Sequence, residues 1–295
     1  MTVVSPIQCA PKPKELGAYS TSNMSIKSLR GGSVYPCQRN LSVGSWNVEG
    51  YTNSKRIELQ RYMEQENIGV LCLQETHKPK SDYYLSDEGY VIILSGGVEG
   101  KRENAGVGYM IAPWMRKSVV SFCQDSSRMA ALKIRVQGGK MSIVTAYAPH
   151  SGYDFADRQS FFHSLAEFVH KQSVHGPKLV CGDLNARLFR QLPGEENLIG
   201  PHLFENKVAN ISPCANRHLL VEFCTDVGMI VTNSFCNVSY DQKVSCYSIG
   251  HKPIDSISWA SHSEIDFIFC EKSWHHSVVD VRTNLLLPLS SHHFC

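Results

Sequence analysis

Long apolar stretches are missing from this 295-residue chain. No run approaches the roughly 20 residues that a membrane-crossing helix needs. The opening residues also lack the pattern of a secretory signal. The expectation is therefore a nuclear or cytoplasmic protein that is neither secreted nor inserted in a membrane. A dominant charge is missing too. The chain has 29 Lys and Arg against 27 Asp and Glu, a formal net charge of +2, so any contact with nucleic acid has to come from a local patch. Repeats and low-complexity tracts are absent. The eleven cysteines are odd in number and scattered, without the tight C-x₂₋₄-C knuckle of a structural zinc site. Cys214, His218, Cys224, Cys236 and Cys246 can be drawn as a zinc set, but reduced core thiols are the expectation. What remains is 42% hydrophobic, enough to bury a substantial core in one large α/β domain or two small ones.

Residues 1–40 are rich in Ser, Pro, Gly and Lys and show no apolar period, which predicts a flexible leader. From Leu41 the texture changes, and 41–295 reads as one domain. Leu41–Trp46 alternates like a strand. Ser54–Asn67 is helical, with Ile57, Leu59, Tyr62 and Met63 as apolar positions. Val70–Leu73 is a buried strand, and Gly106–Ala112, Ala130–Val136 and Met141–Tyr147 are further strands. Gln137–Lys140 supplies a hairpin turn between the last two. Asp157 caps a helix whose stripe is Phe161, Phe162, Leu165, Phe168 and Val169. After the strand Lys178–Cys181 comes an irregular stretch, 188–213. A second amphipathic helix then carries Leu219, Leu220, Phe223, Cys224 and Val227 and ends at Gly228. Met229–Thr232 and Ile265–Phe269 complete the strands. Mixed strands with interspersed helices predict an α/β fold of two packed mixed sheets flanked by helices.

The chemistry gathers where these strands end. Gly182-Asp183-Leu184-Asn185 follows the Lys178 strand, at the edge where α/β sheets bind ligands. Asp183 and Asn185 are two apart, so an extended backbone points both side chains the same way. A carboxylate beside an amide can hold a hard cation, an attacking water or a phosphate oxygen. An Asx turn is the plainer alternative. Four other elements follow strands in the same manner: Trp46-Asn47-Val48-Glu49-Gly50, Gln74-Glu75-Thr76, Tyr147-Ala148-Pro149-His150, and Ile265-Asp266-Phe267 with Ser291-His292-His293.

In order and content these elements resemble the endonuclease/exonuclease/phosphatase superfamily, specifically its apurinic/apyrimidinic endonuclease branch. That branch includes the endonuclease domains of LINE-type (non-LTR) retrotransposons. The resemblance runs from about Leu41 to the C-terminus, and Ser258-Trp259 ahead of Ser263-Glu264-Ile265-Asp266-Phe267 looks more like the retrotransposon domains than a repair enzyme. It implies a four-layer α/β sandwich and a Mg²⁺-dependent endonuclease, with Mn²⁺ as a substitute, that nicks DNA to leave a 3′-hydroxyl. Phosphodiester hydrolysis needs an activated water, charge relief on the phosphate and protection of the leaving oxygen. On that reading Glu75 is the main metal ligand, with Asn47 and Glu49 beside it. Asp183 orients or deprotonates the water, and Asn185, with Asn47, binds phosphate. Asp266 fixes the tautomer of His293, which donates to the phosphate or relays a proton. Tyr147 places its hydroxyl on the phosphate, although a core tyrosine is the competing reading. His150 is assigned no chemistry. Lys78, Lys80, Lys101, Arg102, Arg187 and Arg190 are candidate contacts to the DNA backbone.

Two departures stand out. Glu49 occupies a position where the repair enzymes carry Asp, and Ser291-His292-His293 replaces a closing Ser-Asp-His. A neutral imidazole at 292 is a poorer partner for Mg²⁺ than a carboxylate, so weaker metal binding is expected. Family members continue into an apolar strand beyond this motif, which makes the C-terminal strand truncated on the expectation. A retrotransposon protein would also carry a reverse transcriptase downstream. An abasic-site repair endonuclease and a catalytically impaired remnant that acts as a binding module are the alternative readings.

Overall fold

A computed structural model describes residues 23–24, 40–96, 105–204, 216–248, 257–258, 260–285 and 291–295. The first described sheet follows from the apolar runs between Leu41 and Ile111. Strands β2 (Ser42–Asn47) and β3 (Ile68–Gln74) are parallel, and β3 then pairs antiparallel with β6 (Val107–Ile111). The sheet is completed by β5 (Val91–Leu94) and β4 (Asp82–Leu85), in the order β2-β3-β6-β5-β4. The parallel β2–β3 pair needs a crossover, and helix α1 (Asn53–Gln65) provides it. The Thr52 hydroxyl caps α1 by accepting from the Lys55 N–H at 3.2 Å. Leu59, Tyr62 and Met63 are buried against the sheet as expected, whereas Ile57 is exposed. Ile57 lies on the opposite side of the turn from the buried stripe.

The second sheet has the order β1-β7-β8-β9-β10-β14-β11. Its strands are β1 (Asn23–Met24), β7 (Val119–Gln124), β8 (Met129–Val136), β9 (Gly139–Tyr147), β10 (Lys178–Asp183), β11 (Met229–Val231) and β14 (Asp266–Glu271). In the β8–β9 hairpin Val136 faces Gly139, so the turn is Gln137-Gly138, narrower than the expected Gln137–Lys140. Helix α2 (Phe155–His170) crosses between the parallel strands β9 and β10, and α3 (Arg217–Val227) ends at Gly228 in the left-handed conformation. The N-cap of α2 is Asp154, so Asp157 lies inside the first turn and not at the cap. It complements the helix dipole there. A small pair, β12 (Cys246–Tyr247) and β13 (His262–Ser263), stands apart.

The layers follow from burial. Trp46, Leu59, Met63, Leu71 and Leu73 pack between α1 and the first sheet. Cys72, Tyr109, Ile143 and Cys181 fill the space between the sheets. Phe162, Leu165, Phe168, Phe223 and Phe269 pack under α2 and α3. This is the expected four-layer α/β sandwich. Strand β5 is fully buried but was not distinguished in the sequence, because a four-residue apolar run without alternation does not separate strand from helix. Within the expected leader, Asn23 and Met24 form the edge strand β1, paired with Cys123 and Phe122 of β7. At the other end, β2 is the outer strand of its sheet, and the C-terminal residues lie against it. The Trp46 Nε1 donates to the His293 carbonyl at 2.9 Å, and Phe294 is buried.

Candidate metal-dependent hydrolytic site

Strand register brings the polar strand ends together from both sheets. Asp183 is paired with Tyr147 on one side and with Asp266 on the other, while Asn47 is paired with Gln74. Gly182 is required at this edge by a close approach, because a Cβ on it would lie 1.9 Å from the Ala146 carbonyl oxygen. Asn47 bridges the sheets. Its fully buried amide donates to Glu75 Oε1 at 2.7 Å and to Asp183 Oδ2 at 3.0 Å, and its own Oδ1 accepts from the Glu49 N–H.

Asp183 is 2% exposed. Burial first, and the neighbouring Asp266 second, push its carboxyl up to about 7, while His293, the Asn185 N–H and the Asn47 amide work in the opposite direction. His293 Nδ1 lies 2.9 Å from Asp266 Oδ2, and its Nε2 is 3.9 Å from Asp183 Oδ2. Burial disfavours the imidazolium, but Asp266, Cys246 and Asp183 outweigh it and hold the His293 pKa well above its ordinary value. The oxygens of Asp183 and Asp266 and a ring nitrogen of His293 lie within 4.8 Å of one another, and Asp266 Oδ1 is buried without a protein partner. An orphaned carboxylate oxygen beside a second buried carboxylate suits a cation, so the Asp183 and Asp266 carboxylates fit a divalent metal, while the protonated His293 ring has no lone pair to offer it.

Glu75 sits just beyond β3. Oε1 takes the Asn47 amide, Oε2 faces His77 Nε2 at 3.1 Å, and Tyr147 shares a side-chain hydrogen bond with Glu75. Burial foremost, with Glu75 second, raises the Tyr147 pKa, so its hydroxyl stays protonated and can donate. Glu49, Glu75 and Asn185 have φ of 44°, 51° and 47°. Left-handed backbone in non-glycine residues carries strain and clusters at functional sites. The structure thus gathers Asn47, Glu75, Tyr147, Asp183, Asp266 and His293. The side chain of Asn185 turns back to the Ala148 carbonyl at 2.9 Å. The Glu49 carboxylate is engaged by His292, whose Nδ1 is 3.1 Å from both of its oxygens and whose N–H donates to Oε2 at 3.1 Å.

Several supporting residues escaped the sequence. Ser245 Oγ accepts from the N–H groups of both Ile265 and Asp266, fixing the start of β14. Lys55, buried inside α1, donates to the Val48 and Glu49 carbonyls and holds their loop. Arg128 braces Tyr147 by donating to its carbonyl. None of these lies within a recognisable motif, because each acts across a fold contact. Among the DNA-contact candidates, Lys78 lies over the Tyr51 ring and Arg187 over the Phe189 ring, while Arg190 accepts from Arg217 through its carbonyl. Lys101, Arg102, Cys214 and Trp259 lie outside the described residues. No helix among those residues is long and apolar enough to cross a membrane.

Two mixed sheets that meet at a buried cluster of carboxylate, amide and imidazole groups define a sandwich with a polar site along its strand ends. The chain belongs to the Endonuclease/Exonuclease/phosphatase family, whose model matches residues 44–287. Craniofacial development protein 2 of Bos taurus is 22% identical over 248 residues, which is 84% of this chain and 38% of that protein. The chain thus spans about two-fifths of this relative. Among solved structures, the Xenopus laevis APE2 catalytic domain has a TM-score of 0.61 at 14% identity, covering 85% of this chain and 89% of its own. An AP endonuclease from Archaeoglobus fulgidus has 0.59 at 18%, covering 86% and 97%. The endonuclease domain of TRAS1, a telomere-specific non-LTR retrotransposon, has 0.56 at 13%, covering 86% and 94%. At these identities the structural likenesses speak to the fold.

Proposed function

We propose that this chain is a Mg²⁺-dependent phosphodiester hydrolase of the LINE-type retrotransposon class that nicks DNA to leave a 3′-hydroxyl. The observation that carries the reading is the convergence of Asn47, Glu75, Tyr147, Asp183, Asp266 and His293 from both sheets on one cluster. Glu75 would hold the cation, with the Asp183 and Asp266 carboxylates adjoining through Asn47. When bound, it relieves the charge that develops on the phosphate and the leaving oxygen. A cation there also favours the ionised form of Asp183. Ionised Asp183 is the base for the attacking water, held in orientation by the Asn47 amide and the Asn185 N–H. Asp266 accepts from His293 Nδ1, and the raised pKa keeps the ring an imidazolium, so Nε2 also carries a proton that can meet a phosphate oxygen. The Tyr147 hydroxyl donates to the same phosphate.

The test is nicking of supercoiled plasmid beside an abasic-site oligonucleotide, with Mg²⁺, for the wild type and Asp183→Ala. Plasmid nicking that disappears in the variant supports the proposal, and a strong preference for the abasic strand supports the repair reading. Absence of cleavage with both substrates favours a remnant that only binds. One observation favours that last reading: the Glu49 carboxylate is occupied by His292.

A further inference from the structure

Beside the cluster lies an exposed group of rings that the hydrolytic chemistry does not use. Tyr153 is 40% exposed, six residues beyond Tyr147 in the loop that leads to α2. Arg128 joins the two tyrosines. Its guanidinium lies 4.9 Å from the Tyr147 ring centroid and 5.2 Å from that of Tyr153, and donates to the Tyr147 carbonyl at 3.3 Å and the Tyr153 hydroxyl at 3.0 Å. The His150 ring meets Tyr153 edge-on at 4.8 Å. The loop is pinned from below: the Tyr153 N–H donates to the His150 carbonyl, the Gly152 N–H to His150 Nδ1, and buried Arg158 donates to the Tyr153 carbonyl. An exposed tyrosine held on several sides is pre-ordered at little further entropic cost to whatever binds it.

Tyr153 and Arg128 line an open recess of about 320 Å³, together with Pro149, Asp125 and Asp157. That volume is at the small end of ligand pockets, which run from about 300 to 1,000 Å³, and suits a single ring system. Two carboxylates in the lining repel a phosphate but accept hydrogen bonds from the exocyclic amines of a base. A neutral flat ring fits this chemistry, and the contact through Arg128 sets it beside Tyr147.

We propose that Tyr153, backed by Arg128 and His150, is a stacking shelf for an unpaired DNA base next to the phosphodiester at Tyr147. The inference rests on the nuclease reading above and adds to it a preference, not a requirement, for DNA with a base already out of the stack, because a paired base hides both faces. Stacking on an aromatic side chain is sequence-tolerant, and its removal weakens binding by about tenfold or more per base.

The test uses the full chain with duplexes carrying a bulged 2-aminopurine and matched, fully paired duplexes, in EDTA so that no strand is cut. Wild type should prefer the bulged duplex by about tenfold and quench its fluorescence. Tyr153→Ala should lose both effects while retaining affinity for the paired duplex, and Tyr153→Trp should retain both. Equal affinity of the wild type for the two duplexes, or an unchanged preference in Tyr153→Ala, would overturn the shelf. Plasmid nicking run alongside separates the two readings. Metal-dependent nicking with base binding independent of Tyr153 sinks the shelf alone, whereas quenching dependent on Tyr153 without any nicking supports the shelf and sinks the nuclease reading.

Discussion

The two sides of the cleft are built differently. Asp183, Asp266 and His293 sit on the second sheet side, at 2%, 6% and 7% exposure, with two of them at the ends of regular paired strands. Glu49, Glu75 and His77 sit on the first sheet side, partly exposed, on left-handed backbone beyond their strands. The buried side pays its cost in desolvation, which drives the Asp183 carboxyl upward. The open side stores its cost in the backbone. A site divided in this way keeps Asp183, Asp266 and His293 in fixed positions and leaves the Glu75 carboxylate reachable from solvent.

The largest effect expected from this contrast is on the buried side. Asp183→Ala should lower plasmid nicking by about 10²–10⁴-fold, the range for losing a positioned acid or base. Wild-type nicking should also fall on acidification as Asp183 gains its proton, at a pH below the metal-free value of about 7 because the cation favours the ionised form. A flat pH profile there, or a mild loss in the variant, would remove Asp183 as the base.

Stability should move the opposite way. Because the folded-state carboxyl is raised, the native protein holds this proton more tightly than the unfolded chain. The resulting cost is absent below pH 4, grows as pH rises towards 7 and is constant above. Asp183→Asn should therefore stabilise the metal-free protein at pH 8, with no gain at pH 4. Thermal melts at both pH values check it, and a destabilised variant at pH 8 would contradict the burial argument.

The bridge between the sides comes next. Asn47→Ala releases both Glu75 and Asp183, and loss of such a supporting contact typically costs about 10–100-fold in metal affinity or activity. Calorimetric titration with Mn²⁺ measures it. If affinity is unchanged, the two sides are not coupled through this amide. The smallest effect is at the rim, where His292→Asp would set a carboxylate beside Glu49. Mg²⁺ should then bind severalfold more tightly, and an unchanged affinity would show that the 292 position plays no part in holding the cation.

Much of the buried side could be read in advance. Asp183 follows an apolar strand running into Gly182, so period and position marked it, whereas Asp266 opens β14 and its role came with the family resemblance. The roles of Arg128, Ser245 and Lys55 were out of reach, because each holds a partner 15 or more residues away or through a carbonyl that no side-chain pattern encodes. Strand β5 escaped for a local reason, since four apolar residues carry too little period to identify themselves. The Tyr153 group escaped for another: tyrosine and histidine in a loop look like ordinary surface until Arg128 is placed between two rings.

The sequence by itself determined the layered α/β architecture and the set of strand ends that bear polar groups, because hydrophobic periodicity and chain punctuation are local properties. Only the tertiary structure decided which of those groups meet. Register set Asp183 between Tyr147 and Asp266, left-handed turns aimed Glu75 and Glu49, and His292 was brought to the Glu49 carboxylate from 243 residues away. Contacts of that kind depend on the packing of two sheets against each other, and no segment of the chain contains that information alone.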